Sequence, residues 1–89
     1  GILICGTGLG VAITANKFKG IRAANCYNVD MAKYSKLHNN SNIITFGAGQ
    51  NSKEEVIEML KIWLNTDFEG GRHEQRVKMI EEIENENMK

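Results

Sequence analysis

Short apolar runs that alternate with helix-patterned segments constrain this 89-residue chain more than any other feature. Ile2 to Cys5 is a continuous apolar run bounded by glycines, the pattern of a strand buried on both faces. Gly6-Thr7-Gly8-Leu9-Gly10 makes a turn, and Val11 to Phe18 reads as a helix stopped near Gly20. A second strand is predicted over Ile21 to Tyr27, then a helix capped by Asn28 and running to about Leu37, with Asp30 favourable in its first turn. After the polar turn His38-Asn39-Asn40-Ser41, a third strand runs from Asn42 to Phe46 and closes at Gly47 and Gly49. Ser52-Lys53-Glu54-Glu55 is a capping box, and the helix behind it is expected to bury Val56, Ile57, Leu60, Trp63 and Leu64 on one face. Gly70-Gly71 break the chain before a last helix from about Arg72 to Glu84, striped by Val77, Ile80 and Ile83. Its polar end, Glu84 to Lys89, is expected to fray. Strands alternating with helices predict an α/β fold with three αβα layers and a parallel sheet covered on both faces. Residues 1–89 are read as a single domain, of which 70–89 form the Gly-Gly break and terminal helix. Ligands of such sheets bind at the carboxyl ends of the strands.

Charge and cysteine usage exclude several function classes. Eleven Lys and Arg balance eleven Asp and Glu, so there is no broad electrostatic footprint for nucleic acid or anionic lipid. Any anion site must be local. No apolar run approaches the roughly 18 residues of a membrane span, and no signal peptide is visible. Cys5 and Cys26 lie far apart in no CxxC pattern, which suggests neither a disulfide framework nor a zinc site. Free thiols predict a reducing, cytoplasmic location. A buried strand needs neighbours, and this one is entered directly at Gly1. We therefore expect the chain to begin inside a domain.

Three motifs can carry chemistry. In Cys5-Gly6-Thr7-Gly8-Leu9-Gly10 the glycines let backbone N–H groups approach a ligand, but the GxGxG spacing is not the dinucleotide GxGxxG, and the P-loop lysine is missing. A cysteine beside such a turn has a route to a lowered pKa, and a thiolate there can take a proton from carbon while N–H groups stabilise the oxyanion that develops. It can equally be a small buried hydrophobe next to a tight turn. Arg72 and Arg76 share one helical face, which suits a phosphate or, more simply, a solvated surface with Arg–Glu pairs. His38 can act as acid or base and Asn39 can bind a hydroxyl, although both are ordinary turn residues. Cys26 and Trp63 read as core. His73 reads either as a phosphate contact or as a solvated helix residue.

Taken together, CGTGLG after an apolar strand, GIRAANC, KLHNNSNIITFG and EGGRHEQR resemble, in order and from Ile2 to about Glu84, the ribose-5-phosphate isomerase B and galactose-6-phosphate isomerase family. The resemblance implies a Rossmann-like sheet and an aldose–ketose isomerase. Cys5 matches the cysteine that shuttles a proton between two sugar carbons. Gly6, Thr7, Gly8 and Gly10 match the loop that holds the enediolate, with Thr7 assisting ring opening or touching a hydroxyl. His38 matches the histidine of ring opening, Asn39 an asparagine on the sugar oxygens, and Arg72 and Arg76 the phosphate-gripping arginines. GGRHEQR favours the ribose 5-phosphate branch over galactose 6-phosphate or another hexose 6-phosphate. The implied assembly is a homodimer or tetramer with a composite active site, and no metal or organic cofactor is implied. The family opens with a strand and an Asp-His motif for which this sequence has no counterpart. About 60 residues, or two βα units, are expected to be missing, and the 89 residues alone are expected to be inactive. A non-catalytic phosphate- or nucleotide-binding fragment, or a module that only mediates dimerisation, is the competing reading.

Overall fold

A computed structural model describes residues 1–88; Lys89, the last residue of the expected polar end, lies outside the described residues. Strands β1 (Ile2–Cys5), β2 (Ala23–Asn25) and β3 (Ile43–Gly47) form a parallel sheet in the order β1-β3-β2. Four helices accompany them, α1 (Leu9–Ala15), α2 (Val29–Leu37), α3 (Lys53–Leu64) and α4 (Arg72–Asn87). The chain crosses from β1 over β3 to β2 through α1, then steps back to β3 through α2. Right-handed crossovers taken in opposite directions place their helices on opposite faces. Accordingly α1 packs on one face, and α2 with α3 on the other. The expected three αβα layers are all present.

The pleat of β3 divides the interior. Ile44 and Phe46 face α2 and α3, where they are fully buried with Cys26, Ala32, Met59 and Trp63. Ile43, Thr45 and Gly47 face the opposite side. Trp63 satisfies its ring N–H by donating to Ser41 Oγ at 2.8 Å, and Ser41 in turn pairs with Ser35 Oγ at 3.0 Å. Both predicted caps form. Asn28 Oδ1 accepts the Met31 N–H at 2.9 Å, and Ser52 and Glu55 exchange bonds of 3.2 and 2.8 Å in the capping box.

Several expectations need correction. β1 is not buried: Ile2, Leu3 and Ile4 are 48%, 37% and 58% exposed. The strand sits at the sheet edge with β3 as its one neighbour, and α1 reaches only one of its faces. β2 spans three residues rather than seven. Asn16 bonds both backbone groups of Ala23, and Asn42 Oδ1 takes the Arg22 N–H at 2.7 Å, so side chains claim groups a longer ladder would use. α1 begins two residues early and ends at Ala15, where Lys17 and Phe18 donate to carbonyls three residues back and tighten the chain. On α3, Met59 and Trp63 are the buried residues, Val56 and Leu60 pack at their margin, and Ile57 and Leu64 are exposed. The small sheet covers only part of the apolar stripe. α4 continues to Asn87 instead of ending at Glu84, and of its stripe only Val77 is buried while Ile80 and Ile83 are exposed. Among the described residues no helix is long and apolar enough to cross a membrane.

Candidate active site

Cys5 ends β1, and the chain must reverse there to start α1. Gly8 makes the reversal with φ +84°, in the left-handed region. A Cβ on Gly8 would stand 2.1 Å from Asn25 Oδ1 and 2.8 Å from the Phe46 carbonyl carbon. Gly47, at the tip of β3, is as tightly fitted, because a Cβ there would meet the Thr7 carbonyl at 2.6 Å. Gly6 and Gly10 differ, since a Cβ on either would meet no atom within 4 Å. Those two leave open space in front of the turn.

The turn wraps the sulfur in amides. The Gly8 N–H donates to Cys5 Sγ at 3.2 Å. The backbone N–H of Val11 contributes most to holding the thiol below its ordinary range, joined by those of Gly8, Thr7 and Gly10, while partial desolvation opposes them. Cys5 is half-buried and free, whereas Cys26 is fully buried and its thiol is pushed up by burial. The two thiols are thus shifted in opposite directions. Thr7 Oγ1 accepts the Leu9 N–H at 3.3 Å, which ties the hydroxyl to the same turn.

A second cluster assembles around His38, the C-cap of α2. The Glu69 N–H donates to the Leu37 carbonyl at 3.0 Å, which brings the segment before α4 against the end of α2. Gly70 and Gly71, with φ of +73° and +56°, then turn the chain into α4. This puts the His73 ring on the His38 ring, with centroids 4.0 Å apart and planes within 13°. Tyr34 lies 4.9 Å from His38, and Glu69 Oε2 is 3.7 Å from His38 Nε2. His73 is buried, contrary to the solvated alternative. Burial pushes its ring below the usual imidazole range, aided by the positive fields of His38, Arg72 and Arg76 and opposed by Glu69. His38, Glu69 and His73 bring their potential ligand atoms within 4.8 Å of one another.

Arg72 and Arg76 flank this cluster on the exposed face of α4. Among the described residues neither has a carboxylate within 4.0 Å; the acidic side chain between them, Glu74, pairs with Lys78 at 3.6 Å. Asn39 follows His38 and is exposed.

The structure thus sorts the sequence-predicted residues into two groups. Cys5, Gly6, Thr7, Gly8 and Gly10 meet at the carboxyl end of the sheet, where Cys5 pairs with Gly47. His38, Asn39, Arg72 and Arg76 lie at the other end, because α2 runs back antiparallel to the strands and delivers His38 before β3 starts. Four steps along β3 separate the two ends by about 13 Å. Within one chain they do not form a single pocket. Sequence reasoning missed Asn25 and Thr45, which bond the turn, and Glu69, which faces His38. Asn25 stands in the GIRAANC block at the tip of a strand, where a polar side chain signals a site; Thr45 and Glu69 carry no comparable signal.

Comparison with known proteins gives one answer. The profile of a family described as Ribose/Galactose Isomerase matches residues 1–80. Ribose-5-phosphate isomerase B of Escherichia coli (strain K12) is 48% identical over 84 residues, which are 94% of this chain and 56% of that protein. A Clostridium thermocellum ribose-5-phosphate isomerase B structure superposes with a TM-score of 0.95 at 48% identity, over 97% of this chain and 58% of the other. The Mycoplasma genitalium ribose-5-phosphate isomerase B, solved with bound ribulose 5-phosphate, gives 0.95 at 39% identity over 98% and 57%. The chain spans little more than half the length of these relatives. With matching blocks, matching αβα fold and a family profile over most of its length, the chain belongs to the ribose/galactose isomerase family.

Proposed function

We propose that this chain carries the catalytic turn of an aldose–ketose isomerase that interconverts ribose 5-phosphate and ribulose 5-phosphate. The observation that carries the reading is the Cys5 sulfur accepting the Gly8 N–H at 3.2 Å, at the carboxyl tip of a parallel strand where neighbouring backbone N–H groups lower its pKa. The Cys5 thiolate takes the proton from C2 of the open-chain aldose. The electron pair moves toward the C1 carbonyl, and an enediolate forms. Amides of the Gly6–Gly10 turn, left accessible by the absence of a Cβ on Gly6 and Gly10, stabilise its oxygens. The thiol returns its proton to C1 while the O2 hydroxyl proton passes to O1, which completes the ketose. Thr7 contacts a substrate hydroxyl from the same turn.

The remaining groups come from a second copy. His38, Asn39, Arg72 and Arg76 stand too far from Cys5 to serve the same pocket in one chain, yet they form one coherent cluster. In a two-fold dimer each site takes the thiolate turn from one subunit and this cluster from the other. His38 then opens the sugar ring, Asn39 binds its oxygens, and the two guanidiniums hold the phosphate.

Mixing variants of the intact protein tests this arrangement. Cys5→Ala and His38→Ala homodimers each lose activity. A mixed dimer has one site with both Cys5 and His38 and one with neither. Random reassociation should therefore recover about a quarter of wild-type turnover. Recovery that stays at the level of the separate variants would show that both residues serve one chain's own pocket.

A further inference from the structure

Thr45 is a polar side chain at a place that calls for an apolar one. It lies on the central strand between Ile44 and Phe46, and it is fully buried. Its hydroxyl is 2.9 Å from the Gly8 carbonyl and 3.0 Å from Asn25 Oδ1, sharing one proton between the two acceptors. Asn25, from β2, uses its other end on the same turn, where Nδ2 donates to the Thr7 carbonyl at 3.4 Å.

These bonds decide which way the turn's amides point. The Thr7 carbonyl and the Gly8 N–H belong to one planar trans peptide, so they face opposite directions. Asn25 draws the carbonyl toward β2, and the Gly8 N–H is thereby aimed at Cys5 Sγ, 3.2 Å away. Thr45 holds the next peptide by its Gly8 carbonyl at 2.9 Å, an oxygen that also accepts the Ala12 N–H at 3.3 Å. The Cβ that Gly8 lacks would strike Asn25, so the fit leaves no room for a looser turn.

We propose that Thr45 and Asn25 are positioning residues, a clamp behind the Gly6–Gly10 turn that orients the Gly8 N–H on the Cys5 sulfur. Neither touches the sulfur and neither titrates. Both act through the peptide planes on either side of Gly8. Of the backbone N–H groups that lower the thiol, that of Gly8 belongs to the clamped Thr7–Gly8 peptide, and it donates to the sulfur at 3.2 Å. The catalytic consequence rests on the reading of Cys5 as the base, but the orientation itself does not.

The test is the pH dependence of Cys5 alkylation by iodoacetamide in the intact protein, a readout that needs no turnover. Thr45→Val keeps the shape and removes the hydroxyl, and should move the alkylation midpoint up. Thr45→Ser restores the hydroxyl and should restore the midpoint. Asn25→Ala, at a half-buried position, should shift it in the same direction as Thr45→Val. An unchanged midpoint in folded Thr45→Val, or a Thr45→Ser midpoint as displaced as that of valine, overturns the proposal. Where Thr45→Val does not fold, Asn25→Ala decides, and an unshifted midpoint there overturns it equally. A shifted midpoint with undiminished isomerisation would keep the clamp and reject Cys5 as the base.

Discussion

Replacing Cys5 with alanine in the intact protein should lower turnover of ribose 5-phosphate by at least about 10² to 10⁴, the usual contribution of a positioned acid–base group. The sugar phosphate should still bind within a few-fold. The two outcomes separate because the groups are separate: the sulfur sits in the turn after β1, while the guanidiniums and His38 lie at the far end of the sheet. Folding should be little affected. Cys5 is half-buried at a strand tip, and a water can take the place of the sulfur as acceptor for the Gly8 N–H. Steady-state kinetics together with calorimetric titration of ribose 5-phosphate measure both quantities. An unchanged rate would leave the sulfur without a role.

The second large effect concerns the arginines. Arg72→Ala and Arg76→Ala should each raise KM for ribose 5-phosphate roughly tenfold to a hundredfold, the loss expected for one charge-assisted bond to phosphate. kcat should change less, because a phosphate anchor acts on ground state and transition state alike. Their location strengthens the assignment. Both cations lie in the first turns of α4, the helix end that the macrodipole makes unfavourable for positive charge. Neither has a carboxylate within 4.0 Å among the described residues. Their removal should leave the melting temperature unchanged or slightly raised. Normal binding in both variants would place the anchor elsewhere.

The alternation of strands and helices was legible because each element carries its own local signal. The capping box at Ser52 and Glu55 and the Asn28 cap form as read, since caps involve residues three apart. Burial was less legible, because it depends on what lies across an element. Ile2, Leu3 and Ile4 have the composition of a central strand yet stand at an edge, and Leu64 continues an apolar stripe past the sheet it could cover. The same limit applies to the site. The Cys5 turn is contiguous, so its glycines announce it, although only Gly8 among them is required by its backbone angle. The clamp behind it is not contiguous: Asn25 and Thr45 reach Gly8 and Thr7 from two other strands. His73 meets His38 only because two glycines with positive φ bring the first turn of α4 against the end of α2. Periodicity cannot reveal such pairings.

Transfer of hydrogen at the sugar carbon tests the central claim most directly. The intact protein is incubated with ribose 5-phosphate in deuterium oxide, before and after Cys5 is alkylated with iodoacetamide, and deuterium at C2 of the aldose and C1 of the ketose is followed by NMR. Unmodified protein should introduce the label, and alkylation of Cys5 should stop it in proportion to the thiol lost. Exchange that continues at full rate on protein with every Cys5 blocked would contradict the account.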